Sequence, residues 1–104
     1  MAASYVILGS ATPTAAGTST LVTGSTNGSI VGSFNACNRG GTNDSIRISI
    51  TKSGGSAYYL YYNFTLAANS TLQETPGWTL ASGDVVSVYS TTGNTDYIAT
   101  GVTL

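Results

Sequence analysis

The sequence predicts an all-β fold, a single-domain antiparallel β-sandwich of about eight short strands, and three observations lead there. Charged residues make up 7% of the chain, against roughly 25% in an average soluble domain, and Ser, Thr, Gly and Asn stand in their place. These residues favour turns and strand surfaces and are poor in helix interiors. Turn signals recur about every 8–12 residues, the spacing of sandwiches and barrels, and no helical period runs far enough to define a helix. The run 57–66 is the densest aromatic stretch of the chain, of strand length and free of Pro and Gly. A chain of 104 residues holds one such domain, residues 1–104, around one two-layer core.

Taken in order, Ser4 to Gly9 reads as a first strand and Ala11 to Gly17 as a loop. Thr18 to Thr23 is a second strand, ended by Gly24-Ser25-Thr26-Asn27-Gly28, in which Asn-Gly is a strong turn signal. Ser29 to Cys37 is a third strand, and Gly32 with Ser33 interrupts its alternation, which predicts a bulge or a close backbone approach. After the turn-rich 38–44, Ser45 to Thr51 is the most regular strand. Ile46, Ile48 and Ile50 face one way there, and Ser45, Arg47, Ser49 and Thr51 the other. Lys52-Ser53-Gly54-Gly55-Ser56 then predicts an antiparallel hairpin into the tyrosine strand. Ser70 to Thr75 is a weak strand broken by Pro76-Gly77, and Trp78-Thr79-Leu80 leads to the turn at Ala81-Ser82-Gly83. Asp84 to Thr91 is a strand with Val86 and Val88 on one face and Val85 and Tyr89 on the other. Gly93-Asn94 turns the chain into the last strand, Thr95 to Thr103.

Strict alternation along the tyrosine strand puts Tyr58, Leu60, Tyr62, Phe64 and Leu66 on one face and Tyr59, Tyr61, Asn63 and Thr65 on the other. The first face is expected in the core, so the predicted core is Ile46, Ile48, Ile50, Leu60, Tyr62, Phe64, Val86 and Val88. The second shows adjacent tyrosines where water would normally meet small polar groups. Tyrosine joins a large apolar area to a polar tip, which suits protein contacts. A sugar-stacking platform is the competing use, although such sites usually add carboxylates or amides beside the ring.

The ionisable groups are too few for most chemistry. The chain has no histidine, the commonest general base and metal ligand, and one cysteine, so no intrachain disulfide forms. Cys37 is expected to be a small buried hydrophobe. Asp44, Glu74, Asp84 and Asp96 are scattered, three of them where turns and strand starts place Asp. No catalytic residue, metal site or cofactor is predicted, and the chain is not expected to be an enzyme. Arg39, Arg47 and Lys52 cannot build a basic patch, which argues against nucleic-acid binding. Residues 1–9 lack the positive start of a signal peptide, and no apolar run approaches a membrane span. A formal net charge of −1 gives weak protection against self-association.

Four motifs in order carry a resemblance. They are Tyr5-Val6-Ile7-Leu8-Gly9 with Ala11-Thr12-Pro13, then Cys37-Asn38-Arg39-Gly40, then Tyr59-Leu60-Tyr61-Tyr62, then the stretch from Leu80-Ala81-Ser82-Gly83-Asp84 to Tyr89. With them the chain resembles small structural proteins of tailed bacteriophages, especially phages of cyanobacteria, that serve as head decoration (cement) or tail proteins. The resemblance spans nearly the whole chain and departs at Val31 to Asn35, where Gly and Ser stand among apolar residues. It implies a jelly-roll-like sandwich in the virion, a homotrimer on the capsid lattice, with the major capsid protein or other virion proteins as partners. The expected protein interface is Tyr59, Tyr61 and Asn63, with Arg39.

Overall fold

The computed structural model describes residues 5–104, and over them the chain forms nine strands and no helix. They are β1 (Tyr5–Ala11), β2 (Gly17–Thr23), β3 (Ser29–Asn38), β4 (Asp44–Thr51), β5 (Ala57–Leu66), β6 (Thr71–Glu74), β7 (Trp78–Leu80), β8 (Val85–Ser90) and β9 (Thr95–Thr103). Ser4, the start of the predicted first strand, lies outside the described residues, as does the rest of 1–4. The ninth strand is the correction to the expected eight. Trp78-Thr79-Leu80 pairs with Val31, Ile30 and Ser29 instead of merely leading to a turn.

The strands pair as nested antiparallel partners: β4 with β5, β3 with β6 and β7, β2 with β8, and β1 with β9. The chain is therefore one long hairpin, closed by the turn at Lys52–Ser56 and wound on itself. Winding sets β9 between β1 and β3, and β8 between β2 and β4. The outcome is a first sheet in the order β1-β9-β3-β6, with β7 also on β3, and a second in the order β2-β8-β4-β5. That order is a jelly roll. Strands β6 and β7 act as two halves of one edge strand, interrupted where Pro76 lacks an N–H and Gly77 takes φ 67°.

Alternation explains the core wherever a strand has neighbours on both sides. Ile46 and Ile48 of β4 and Val86 and Val88 of β8 are fully buried, as the sequence predicts. Ile50 is half-buried against the same cluster. Val31, Phe34, Ala36, Tyr97 and Ala99 meet them from the first sheet, and each large apolar side chain contributes about 1.5–3 kcal/mol by leaving water. The predicted interruption of β3 is present as a register shift between Val31 and Ser33. The hydroxyl end of the exposed Tyr5 side chain lies over Gly32, in space that a Cβ there would share.

Strand β5 departs from its predicted phase. Phe64 lies opposite Ile46, Tyr61 opposite Ile48 and Tyr59 opposite Ser49, so β5 uses one residue more than β4 in each of two successive steps. These are bulges, and Asn63 in the first has the left-handed φ of 53° that Asn tolerates. Tyr61 thereby turns inward against Phe34, with ring centroids 6.1 Å apart at 73°. Leu60, Tyr62 and Phe64, expected in the core, are exposed, as is Tyr58. Of the residues assigned to that face only Leu66 is buried. The physical reason is the edge: with no neighbour beyond it, β5 can bulge without disturbing a second ladder.

Candidate interaction surface

The exposed face of the second sheet gathers side chains from three strands. Arg47 of β4 lies between two rings, its guanidinium carbon 4.6 Å from the centroid of Tyr62 in β5 and 4.5 Å from that of Tyr89 in β8. Its Nε donates to Asn63 Oδ1 at 2.8 Å. The guanidinium is thus fixed in orientation by a cation–π contact on each ring and one hydrogen bond. Tyr59 meets Tyr62 edge to face, centroids 4.9 Å apart at 81°. Between Tyr59, Tyr89 and Arg47 lies a dimple of about 40 Å³, floored by Thr18, Ser49 and Ser87. Along the β5 edge Tyr58, Leu60 and Phe64 are exposed as well, from 39% at Phe64 to 66% at Tyr58, with Tyr58 and Phe64 on the core-facing side of the sheet, opposite Ile50 and Ile46. Monomeric surfaces seldom leave an edge strand with five large apolar side chains, Tyr58, Tyr59, Leu60, Tyr62 and Phe64, uncovered.

The predicted interface set is divided by this geometry. Tyr59 and Asn63 belong to the surface. Tyr61 has turned into the sandwich edge, where burial and then the charge of Glu74 push its hydroxyl pKa up. Arg39 follows β3 in the first sheet, where its Nε lies 2.8 Å from Asp96 Oδ2, and the Thr12 hydroxyl donates to Asp96 Oδ1 at 2.7 Å. Sequence reasoning missed Tyr62, Arg47 and Tyr89 as surface partners. The outward positions of Arg47 and Tyr89 were visible in the alternation of β4 and β8; that of Tyr62 required the bulge at Asn63.

A second concavity, a shallow cleft of about 620 Å³, crosses the outer face of the first sheet between Ser10, Asn35, Thr71 and Asp96. Cys37 lines it, half-buried, instead of sitting in the core as expected. In β3 the inward positions beside it belong to Ala36 and Asn38, which leaves Cys37 facing out.

Two carboxylates are structural. Asp44, buried at the start of β4, accepts hydrogen bonds from the hydroxyls of Ser90 and Thr95 at 2.5 Å each, and from the N–H groups of Thr91 and Thr92 at 3.0 and 3.1 Å. Burial raises its pKa, but these donors outweigh burial and the net shift is downward. Asp84 accepts the N–H groups of Ser53 at 3.0 Å and Ala81 at 2.9 Å, which hold its pKa down, and Lys52 Nζ adds to this from 3.6 Å. Both carboxylates fasten turns to strands. Among the described residues no three His, Cys, Asp or Glu side chains converge as a metal-binding group. No protein-family model matches the chain, and no curated protein or solved structure matches it.

Proposed function

We propose that the protein is a structural component of a bacteriophage virion, a capsid decoration protein that binds the outer shell as a homotrimer and works by contact area. The observation that carries this reading is the uncovered apolar edge of β5, continued onto the sheet face by the Tyr62–Arg47–Tyr89 stack. Such a surface gains most of its binding energy by being covered, with Tyr and Arg as anchors. The jelly-roll order is compatible with a shell protein, and the four motifs in sequence supply the phage context. A tail, baseplate or fibre position would use the same surface. With two carboxylates committed to turns and a third to Arg39, the chain acts as a binding protein and not an enzyme.

The carbohydrate reading has one observation in its favour, the Asn63 amide beside Tyr62. Against it, Tyr59 and Tyr62 cross at 81° and offer no flat platform, and the Asn63 oxygen already accepts from Arg47. Quantitative mass spectrometry of purified particles carrying the gene tests the proposal. Hundreds of copies per particle are expected for head decoration, and a few would move the protein to the tail. Its absence from the particles, or saturable glycan binding lost in Tyr62→Ser, would overturn the virion reading.

A further inference from the structure

The chain has three basic and four acidic side chains, and nearly all are accounted for within it. Arg39 is bonded to Asp96, Lys52 lies against Asp84, and Asp44 is enclosed by hydroxyls and amides. Arg47 and Glu74 remain. Among the described residues neither has an opposite charge within 4.0 Å. Their positions are related. Arg47 stands on the outer face of the second sheet, one strand in from β5, and Glu74 is exposed at the end of β6, on the edge of the first sheet. Glu74 lies opposite Phe34, whose ring meets that of Tyr61, so it flanks β5 from the other layer. The exposed apolar edge of β5 therefore has one unpartnered cation on one side and one unpartnered anion on the other.

We propose that a second copy of this chain covers the β5 edge, with Arg47 of one copy paired to Glu74 of the other. The occupant follows from charge: the chain supplies both halves of the pair, so two copies satisfy each other without an outside ion. Arg47 is suited to its half, because its guanidinium is held by Tyr62, Tyr89 and Asn63 while its terminal N–H groups have no acceptor among the side-chain contacts of the described residues. Covering β5 brings one layer of each copy toward the opposite layer of its neighbour; a two-fold pair makes the Arg47–Glu74 contact twice, and a ring such as the trimer makes it once between each two neighbours. The proposal deepens the self-association in the reading above and rests on that part of it, not on the virion.

Charge exchange tests it. In sedimentation equilibrium Arg47→Glu and Glu74→Arg should each weaken self-association by about 10-fold or more, since like charges then face each other. An equimolar mixture of the two variants should associate more strongly than either alone, fully in a two-fold pair and at two of the three contacts in a three-membered ring. The double variant should return to within about 3-fold of the wild type, as expected of a directly coupled pair. Melting curves show whether each variant is folded. If Arg47→Glu fails to fold through loss of its ring contacts, Glu74→Arg on the exposed strand end, with Arg47→Gln in its place, carries the test. A wild type monomeric at all concentrations, single reversals without effect, or a double variant as weak as the singles would overturn the proposal. Reversals that abolish binding to particles while self-association stays intact would also overturn it, placing the pair against a shell protein. Restored association in a protein that never binds particles would support the pair and remove the virion reading instead.

Discussion

Strands β4 and β5 are hydrogen-bonded neighbours of similar length, yet one keeps strict alternation and the other breaks it twice. Strand β4 has β8 on its other side, so a bulge would have to be accommodated in two ladders, and each slip would turn an isoleucine toward water. Strand β5 ends its sheet. An extra residue there disturbs one ladder only, and it brings Tyr61 onto Phe34 while leaving Tyr59 and Tyr62 outside. The hydrophobic pattern of a strand thus fixes its phase where cover and neighbours enforce it. At an edge, local backbone preference and the fit of one large ring decide instead.

This contrast is open to breaking, and the largest effect is expected in β4. Ile48→Ala should lower stability by about 4 kcal/mol, because the side chain is fully buried between the sheets and a cavity remains. Phe64→Ala in β5, despite its predicted core position, should cost less than half as much. Equal losses in chemical denaturation would show that β5 is packed like β4.

Asp44→Ala should come next, at about 3 kcal/mol, since it strands two buried hydroxyls and two N–H groups of the β8–β9 turn. The folded protein holds both Asp44 and Asp84 below the ordinary carboxylate range. Their contribution is therefore complete above the unfolded value of about 4 and is lost as pH falls below it toward the folded values. A denaturation series from pH 6 to pH 2 should show that loss, and Asp44→Asn should flatten it. A wild-type stability independent of pH across that range would contradict the assignment.

The smallest pair of effects separates the two faces of β5. Tyr61→Ser should cost about 2 kcal/mol through its contact with Phe34. Tyr62→Ser should cost under about 1 kcal/mol in a monomeric state, the scale of one cation–π contact. The reverse ranking would restore the strict alternation.

The layers, the turns and the central core were legible in the sequence because they follow from residue types that act locally. Alternating Ile in β4, paired Val in β8 and Gly-rich turns each have a cause within a few residues, and the interruption of β3 shows locally as Gly32 and Ser33 breaking the alternation. The jelly-roll winding came from the resemblance and not from periodicity, since strand order depends on contacts between distant segments. The candidate surface was legible only in part. Tyr59 and Asn63 lie on the outer face that alternation predicts, but Tyr61 is exchanged for Tyr62 there by bulges that alternation cannot register. Asn63 was the one local sign, a residue able to take positive φ within an otherwise continuous apolar run. The position of Arg39 at the other sheet was not legible, because its partner Asp96 is distant in sequence and close only through the pairing of β3 with β9.

The central claim is that the bulged edge strand presents Tyr59 and Tyr62 to another molecule while Tyr61 serves the fold. Sedimentation velocity of the wild type beside Tyr59→Ser/Tyr62→Ser measures it most directly. The wild type should assemble, and the double variant should remain monomeric with a melting temperature close to that of the wild-type monomer. A double variant that assembles like the wild type, or a wild type that stays monomeric and binds no particle, would contradict the claim.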